Sequence, residues 1–443
     1  MNGGAAVKRR RENAQHVASA VAKRRLRDPQ VIGDFVACPA FLHAFQAAVK
    51  QLQAVFPSRH RRSFEANAFQ AMRSYVCSGT TLLLITGGRL CALLAQRLLC
   101  FDGDCAVRDP LRLGTSTLSR RHFFRNSSAT CVATSNGHSS PVTSLAFHPT
   151  APLLATGSED STVRLWLLSC DNSSATCVAT LAGHSSPVLT VAFHPTAPLL
   201  ASGSQDKTLK LWLLSSDNSS ATCVATLAFH SETVTSVVFH PTPPLLATGS
   251  HDTTVRLWKL SSNNSSATCV ATLKGHIHGV TSIAFHPTAP LLATGSRDQT
   301  VRLWLLSSNN DSATCVATLT GHIYTVRSVA FHPTAPLLAT GSSDKTVRLW
   351  LLSCDNSSAT CVATLAGHRS SVYSVAFHPT APFLATGSSD KTVRLWLLSC
   401  DNSSATCVAT LAGHSRWVNT VAFHPTAPLL VTGSEDSIVR LWR

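Results

Sequence analysis

Every 46 residues the chain repeats a His, a Ser or Thr and an Asp. These are the residue types of a relay in which a hydroxyl attacks, a His takes its proton and a carboxylate orients the ring. Such a relay acts as one constellation beside its own oxyanion donors. Here the set occurs seven times with no separate oxyanion site, so the copies are read as structural units. A second His stands before Pro-Thr, at His148, His194 and their equivalents. It suggests a metal ligand. The 46-residue step puts each copy on a separate repeat, and no Cys or acid accompanies it at ligand spacing, so a turn residue beside Pro is expected. Asn-x-Ser sequons recur at Asn126, Asn172, Asn218, Asn264, Asn310, Asn356 and Asn402. In a secreted chain these would be glycan acceptors. The N-terminal charge is followed by more charge, not by an apolar signal core, so a turn between third and fourth strands is expected instead. With no Gly-rich phosphate loop, metal cluster or isolated nucleophile–base pair in the sequence, neither catalysis nor a cofactor is expected.

The chain has 15 Cys, and seven of them (Cys131, Cys177, Cys223, Cys269, Cys315, Cys361 and Cys407) share the same step. A regular ring holds such positions beyond disulfide reach. Cys170, Cys354 and Cys400 could face Cys177, Cys361 and Cys407 across short hairpins. Ser216, Ser262 and Ser308 stand at that place in other repeats, so the fold needs no such bond. Free thiols in a reducing compartment are expected.

The elements that carry these residues follow from the repeat. Phe-His-Pro-Thr begins at Phe147, Phe193, Phe239, Phe285, Phe331, Phe377 and Phe423, and the Trp positions keep the same interval. In the second repeat, alternation of apolar and small polar residues predicts strands at 175–181, 188–193, 198–203 and 208–214. Pro, Gly and an Asp-Asn-Ser-Ser cluster separate them. Four short strands in a period near 45, repeated seven times, predict an all-β, seven-bladed β-propeller of four-stranded antiparallel blades over residues 126–443. The chain ends at Arg443, after the third strand of its last blade. Residues 128–134 therefore have to supply the missing outer strand and close the ring.

The repeats resemble the WD-repeat family. The resemblance rests on Gly-His at Gly137-His138, Gly183-His184, Gly275-His276, Gly321-His322, Gly367-His368 and Gly413-His414, and on Thr-Gly-Ser-x-Asp followed by Val-Arg-Leu-Trp. It implies a hydrogen-bonded tetrad of His, Ser or Thr, Asp and Trp in each blade. The matching sets are His138, Thr156, Asp160 and Trp166; His184, Ser202, Asp206 and Trp212; and His230, Thr248, Asp252 and Trp258. The fourth and fifth are His276, Thr294, Asp298 and Trp304, then His322, Thr340, Asp344 and Trp350. The last two are His368, Thr386, Asp390 and Trp396, then His414, Thr432, Asp436 and Trp442. Two departures stand out. Phe229-His230 replaces Gly-His in the third blade, so a distorted loop is expected there. The Asp that usually follows the Trp is absent throughout.

Near-identity of the repeats makes their differences informative. The differences cluster after Gly-His, after the following Val and beside the turn Asp. The resemblance implies that these positions share one face around the channel mouth. Blades one to three carry Ser139, Ser140, Thr143, Leu189 and Thr235 there. Later blades carry His278, Arg297, Tyr324, Arg327, Arg369, Tyr373, Arg416, Trp417 and Asn419. Tyr, Trp and Arg dominate binding hot spots, so this arc is the expected protein-binding site.

The bulk composition, 44% hydrophobic and 13% charged, excludes global disorder. The net charge of +15 lies mostly before the repeats: residues 1–125 hold 20 of 37 Lys and Arg but 7 of 22 acids. Residues 1–30 read as a basic tail and 31–120 as mainly helical, through Phe41, Leu42, Phe45, Val49, Leu52 and Phe56, then Phe64, Phe69, Met72 and Val76. Lys8, Arg9, Arg10, Arg11 and then Lys23, Arg24, Arg25, Arg27 resemble a bipartite nuclear-import signal and also suit phosphate contacts. Residues 82–101 are apolar, but Arg89 and Gly87-Gly88 argue against a membrane span. The expected function is a non-catalytic scaffold for other proteins in a larger assembly, in the cytoplasm or nucleus. The alternative is a nucleic-acid-associated protein that uses residues 1–62.

Overall fold

The computed structural model describes residues 129–443 apart from Pro243. The basic clusters, the segments expected to be helical, residues 82–101 and Asn126 lie outside the described residues. Among the described residues, twenty-eight strands form seven four-stranded antiparallel sheets. After β1 (Cys131–Asn136), the first blade consists of β2 (Val142–Phe147), β3 (Leu153–Ser158), β4 (Val163–Leu168) and β5 (Ala175–Leu181), hydrogen-bonded in that order. The pattern repeats through β25 (Ala405–Ala412) and ends with β26 (Val418–Phe423), β27 (Leu430–Ser434) and β28 (Ile438–Trp442). The innermost strand of each blade touches that of the next, and β26 touches β2, so the blades form a closed ring.

Closure runs as the sequence requires. β1 pairs with β28, setting Cys131 against Trp442 and Asn136 against Ile438. The backbones of Thr130 and Arg443 exchange two further hydrogen bonds, of 2.8 and 3.0 Å. The closing strand runs two residues beyond the expected Thr134, because Ser135 and Asn136 still find partners in Val439 and Ile438. In the second blade the second and third strands run from Leu199 to Ser204 and from Leu209 to Leu214, one residue later at the start than expected. Pro198 has no N–H to donate, so pairing begins after it.

The second strand of each blade is buried on both faces. All six residues of β3 are buried, and their side chains alternate between two cores. Leu153 and Ala155 pack with Val188, Leu200 and Trp212 of the next blade. Leu154 packs with Leu429, Val431 and Leu441 of the seventh blade. The apolar cores therefore lie between blades, and no blade buries its own faces alone. The approach is close: a Cβ on Gly433 would sit 2.6 Å from Val142 Cγ1 at the ring seam. Polar contacts reinforce it. The edge of the His148 ring meets Phe193 of the next blade at 5.1 Å, and His424 meets Phe147 across the seam at 5.0 Å.

Two kinds of turn join the strands. At the Asn hairpins, Asn172 and its equivalents adopt left-handed backbone (φ 53–57), where Asn is tolerated better than most residues. At the Asp turns the residue after Asp is left-handed too, including Thr253 at φ 70. A β-branched residue is strained there. Thr253→Gly is expected to stabilise the propeller on the order of 1 kcal/mol, read as a higher urea midpoint at unchanged slope.

Candidate partner-binding face

The His loop and the Asp turn of each blade meet at the same end of the sheet. The loop before β2 carries His138, the turn after β3 carries Asp160, and Glu159 N–H donates to Pro141 O at 3.0 Å. The tetrad ties them together. His138 Nδ1 lies 2.7 Å from Asp160 Oδ2 and its Nε2 lies 2.7 Å from Thr156 Oγ1. Trp166 Nε1–H donates to the same Oγ1 at 2.9 Å. Donor chemistry sets the proton positions. An ionised carboxylate only accepts, so the His proton is on Nδ1. The indole only donates, so the Thr hydroxyl accepts from Trp and donates to Nε2. A neutral imidazole completes the chain with each group satisfied.

All seven blades keep this arrangement, with His-to-Asp distances of 2.7–2.9 Å. The third blade keeps it as well. His230 reaches Asp252 at 2.7 Å and Thr248 at 2.8 Å, so the expected distortion is absent from its tetrad. Phe229, in place of the usual Gly, lies over Trp258 with ring centroids 5.4 Å apart.

These groups are already committed. Thr156 has no exposure, so its hydroxyl cannot meet a substrate. Asp160 accepts from His138, from the N–H of Ser139 and Thr162, and from the Thr162 hydroxyl. Four bonds occupy the lone-pair directions of a carboxylate. In the last blade Ile438 replaces that Thr, so Asp436 receives only the backbone N–H on that oxygen. The His of His-Pro-Thr is also committed: His148 Nδ1 accepts from the N–H of Thr150 and Ala151, at 3.2 and 2.9 Å. No disulfide joins the described cysteines.

Burial sets the titration of these groups. It lowers His138, His184, His322 and His414, with hydrogen bonds to their Asp partners opposing it in part. Burial also lowers His148 and its equivalents, and takes His286, His332 and His378 to about 4. Asp160 behaves differently. Burial works against its ionisation, but hydrogen bonds from Thr162 and His138 prevail and hold it below the usual carboxylate range.

The face built on this frame holds the residues that break the repeat. Arg327, Tyr373 and Trp417 belong to blades five, six and seven, and the fold stacks them into a ladder. The Arg327 guanidinium sits 5.0 Å from the centre of the Tyr373 ring. Tyr373 and Trp417 are stacked at 5.9 Å with a 23° interplanar angle. Arg327 Nε–H donates to Ser343 Oγ at 2.9 Å, which anchors one end. Trp417 remains 43% exposed and Tyr324 59%. His278, Arg297, Arg369 and Arg416 are exposed around the ladder. Asn419 serves the ring instead: its amide donates to Val142 O across the seam at 3.0 Å. Thr143 does the same toward Val188 O at 2.6 Å.

Sequence reasoning missed Ile277 and Ile323, which are 75% and 67% exposed on this face. They follow His276 and His322 where four other blades carry Ser. Comparing that one column across the repeats would have found them.

Both sets of shifts predict acid lability. A His held neutral in the fold leaves the unfolded chain, with its ordinary value near 6.5, to take up protons first as pH falls. Stability is therefore full above about pH 6.5 and declines below it. The lowered Asp groups add a further loss below about 3.8. The melting temperature is expected to fall by on the order of 10 °C between pH 7.5 and pH 5, by calorimetry.

Comparison with known proteins fits this geometry. The family model described as "WD domain, G-beta repeat" matches residues 129–166, 175–212, 221–259, 267–304, 313–350, 359–396 and 405–443. No curated protein matches the chain. Seven matched repeats, each on one blade and each with its tetrad intact, make the chain a member of the WD-repeat family.

Proposed function

We propose that this protein is a non-catalytic scaffold that holds protein partners on the variable face of its propeller. Propellers of this family generally mediate protein–protein interaction. The observation that carries the reading here is the ladder of Arg327, Tyr373 and Trp417 across three blades. A side chain held before binding loses less conformational entropy when a partner docks. Arg327 is held by a hydroxyl and a ring, and Tyr373 by the Arg327 guanidinium and the Trp417 ring. The repeated His, hydroxyl and Asp sets serve the fold, so the reading does not rest on catalysis. Arg297, His278, Tyr324, Arg369 and Arg416 extend the contact surface. The setting is an intracellular assembly, in the cytoplasm or nucleus.

Affinity purification with full-length protein and with a Trp417→Ala, Arg327→Ala variant tests this. The variant is expected to lose specific partners by about tenfold while keeping the wild-type melting temperature. Unchanged recovery would count against the arc.

A second reading rests on charge. The surplus of Lys and Arg before residue 126 suits phosphate backbones. If residues 1–62 bind nucleic acid, affinity for a non-specific duplex falls steeply with salt and disappears when residues 1–27 are deleted. Duplex binding that is insensitive to either change would exclude it.

A further inference from the structure

Charge on the variable face is divided unevenly around the ring. Arg297, Lys345, Arg369, Lys391 and Arg416 are exposed on blades four to seven, with Arg327 half-buried among them. No Glu occurs between Glu232 and Glu435. The Asp residues in that interval are held in tetrads or lie at the Asn hairpins, at the other end of the blades. None of the six cations forms an ion pair among the described residues. Apart from the neutral His–Asp hydrogen bonds of the tetrads, the ion pair found there is Lys207–Glu232, at 3.5 Å on blades two and three. Acids bound the arc: Glu232 on one side, and Glu435 with Glu159 on the other. Glu159 is raised by burial and then by the charge of Glu435 across the seam.

Apolar surface is interleaved with the cations. Ile277 and Ile323 stand out from blades four and five, Tyr324 is exposed on blade five, and Trp417 is the exposed end of the ladder. Unpaired cations on one face repel one another, and a ligand that supplies carboxylates relieves this. Exposed aliphatic and aromatic side chains are covered only by apolar groups of a partner. A nucleic acid meets the first need and only part of the second. Bases can stack on Tyr324 and Trp417, but branched aliphatic Ile277 and Ile323 give them no ring, and a long polyanion would run onto Glu232 or Glu435.

We propose that the ligand of this face is an acidic peptide segment carrying aromatic or branched aliphatic residues, laid along the arc from Arg297 to Arg416. The proposal rests on the variable face being the protein-binding surface. Its carboxylates pair with Arg297, Arg369 and Arg416, and its apolar side chains cover Ile277, Ile323 and Trp417. The acids at either end set the limits of the segment.

Selection of short peptides from a phage-displayed random library on full-length protein tests the ligand class. Net-negative sequences with aromatic or branched aliphatic residues are expected to be enriched. A selected peptide, labelled with fluorescein, should bind less tightly as sodium chloride is raised. It should lose about tenfold or more in affinity in an Arg297→Glu, Arg369→Glu, Arg416→Glu variant. Lys259→Glu, at the opposite end of the third blade, should leave binding unchanged. Circular dichroism of each variant checks the fold, which these exposed positions leave intact. Enrichment of neutral or basic peptides, or none, overturns the proposal. So does undiminished binding by the triple variant, or displacement of the peptide by oligothymidylate. If partners lost by the Trp417→Ala, Arg327→Ala variant are not displaced from the wild type by the peptide, this inference fails while the protein-binding reading stands. If that double variant keeps its partners, the protein-binding reading itself fails.

Discussion

A neutral imidazole, with its proton on Nδ1, links a buried indole and hydroxyl to a carboxylate at the blade's end. The rest of the propeller depends on this link. It joins the second and third strands to the loop entering the blade and to the turn between the strands. Without it, the hydroxyl of a buried Thr (Ser202 in the second blade) would keep its bond from the Trp N–H but have no acceptor for its own proton, at a cost of about 1–3 kcal/mol in each blade. With it, the His loop and the Asp turn become one rigid platform. The variable residues stand on that platform, so their positions derive from a core interaction repeated seven times. The third blade shows its strength: exchange of Gly for Phe229 moves a ring onto Trp258 and leaves the tetrad distances unchanged.

The second dependence is between blades. Each apolar core is shared by two neighbours, so stability belongs to the closed ring. Closure is made by β1 on β28, and is fastened by Asn419 on Val142 O and by His424 against Phe147. The seam also carries the one tetrad whose carboxylate lacks a hydroxyl donor, because Ile438 stands where the other blades have Thr. The blade completed by β1 and β28 is therefore also the one with the fewest bonds to its Asp.

The face then divides by composition. Blades one to three present mostly small and polar residues, and blades four to seven present cations beside Ile, Tyr and Trp. Opposite ends of the same sheets differ as well. The His-Pro-Thr turns and Asn hairpins hardly vary between repeats, and their side chains serve the turns themselves. Variation is concentrated where the tetrad supplies a frame that tolerates it.

Much of this was legible in the sequence. A 46-residue period containing four strand patterns leaves little but a propeller, and the pairing of β1 with β28 closes it. The set of His, hydroxyl, Asp and Trp was readable because it recurs seven times at constant spacing. Contacts between blades were not readable, since they join residues a whole repeat apart through the width of the shared core. Arg327, Tyr373 and Trp417 could be assigned to one face from their columns in the repeat. That they touch, with Ser343 holding the end, depends on how near neighbouring inner strands approach at the rim. Asn419 belongs to the same column as Tyr373, yet it turns to the backbone across the seam, because its short amide reaches a carbonyl that a phenol ring overshoots. The period determined the ring and its closure; packing between blades decided which side chains serve that closure and which stay exposed on the face.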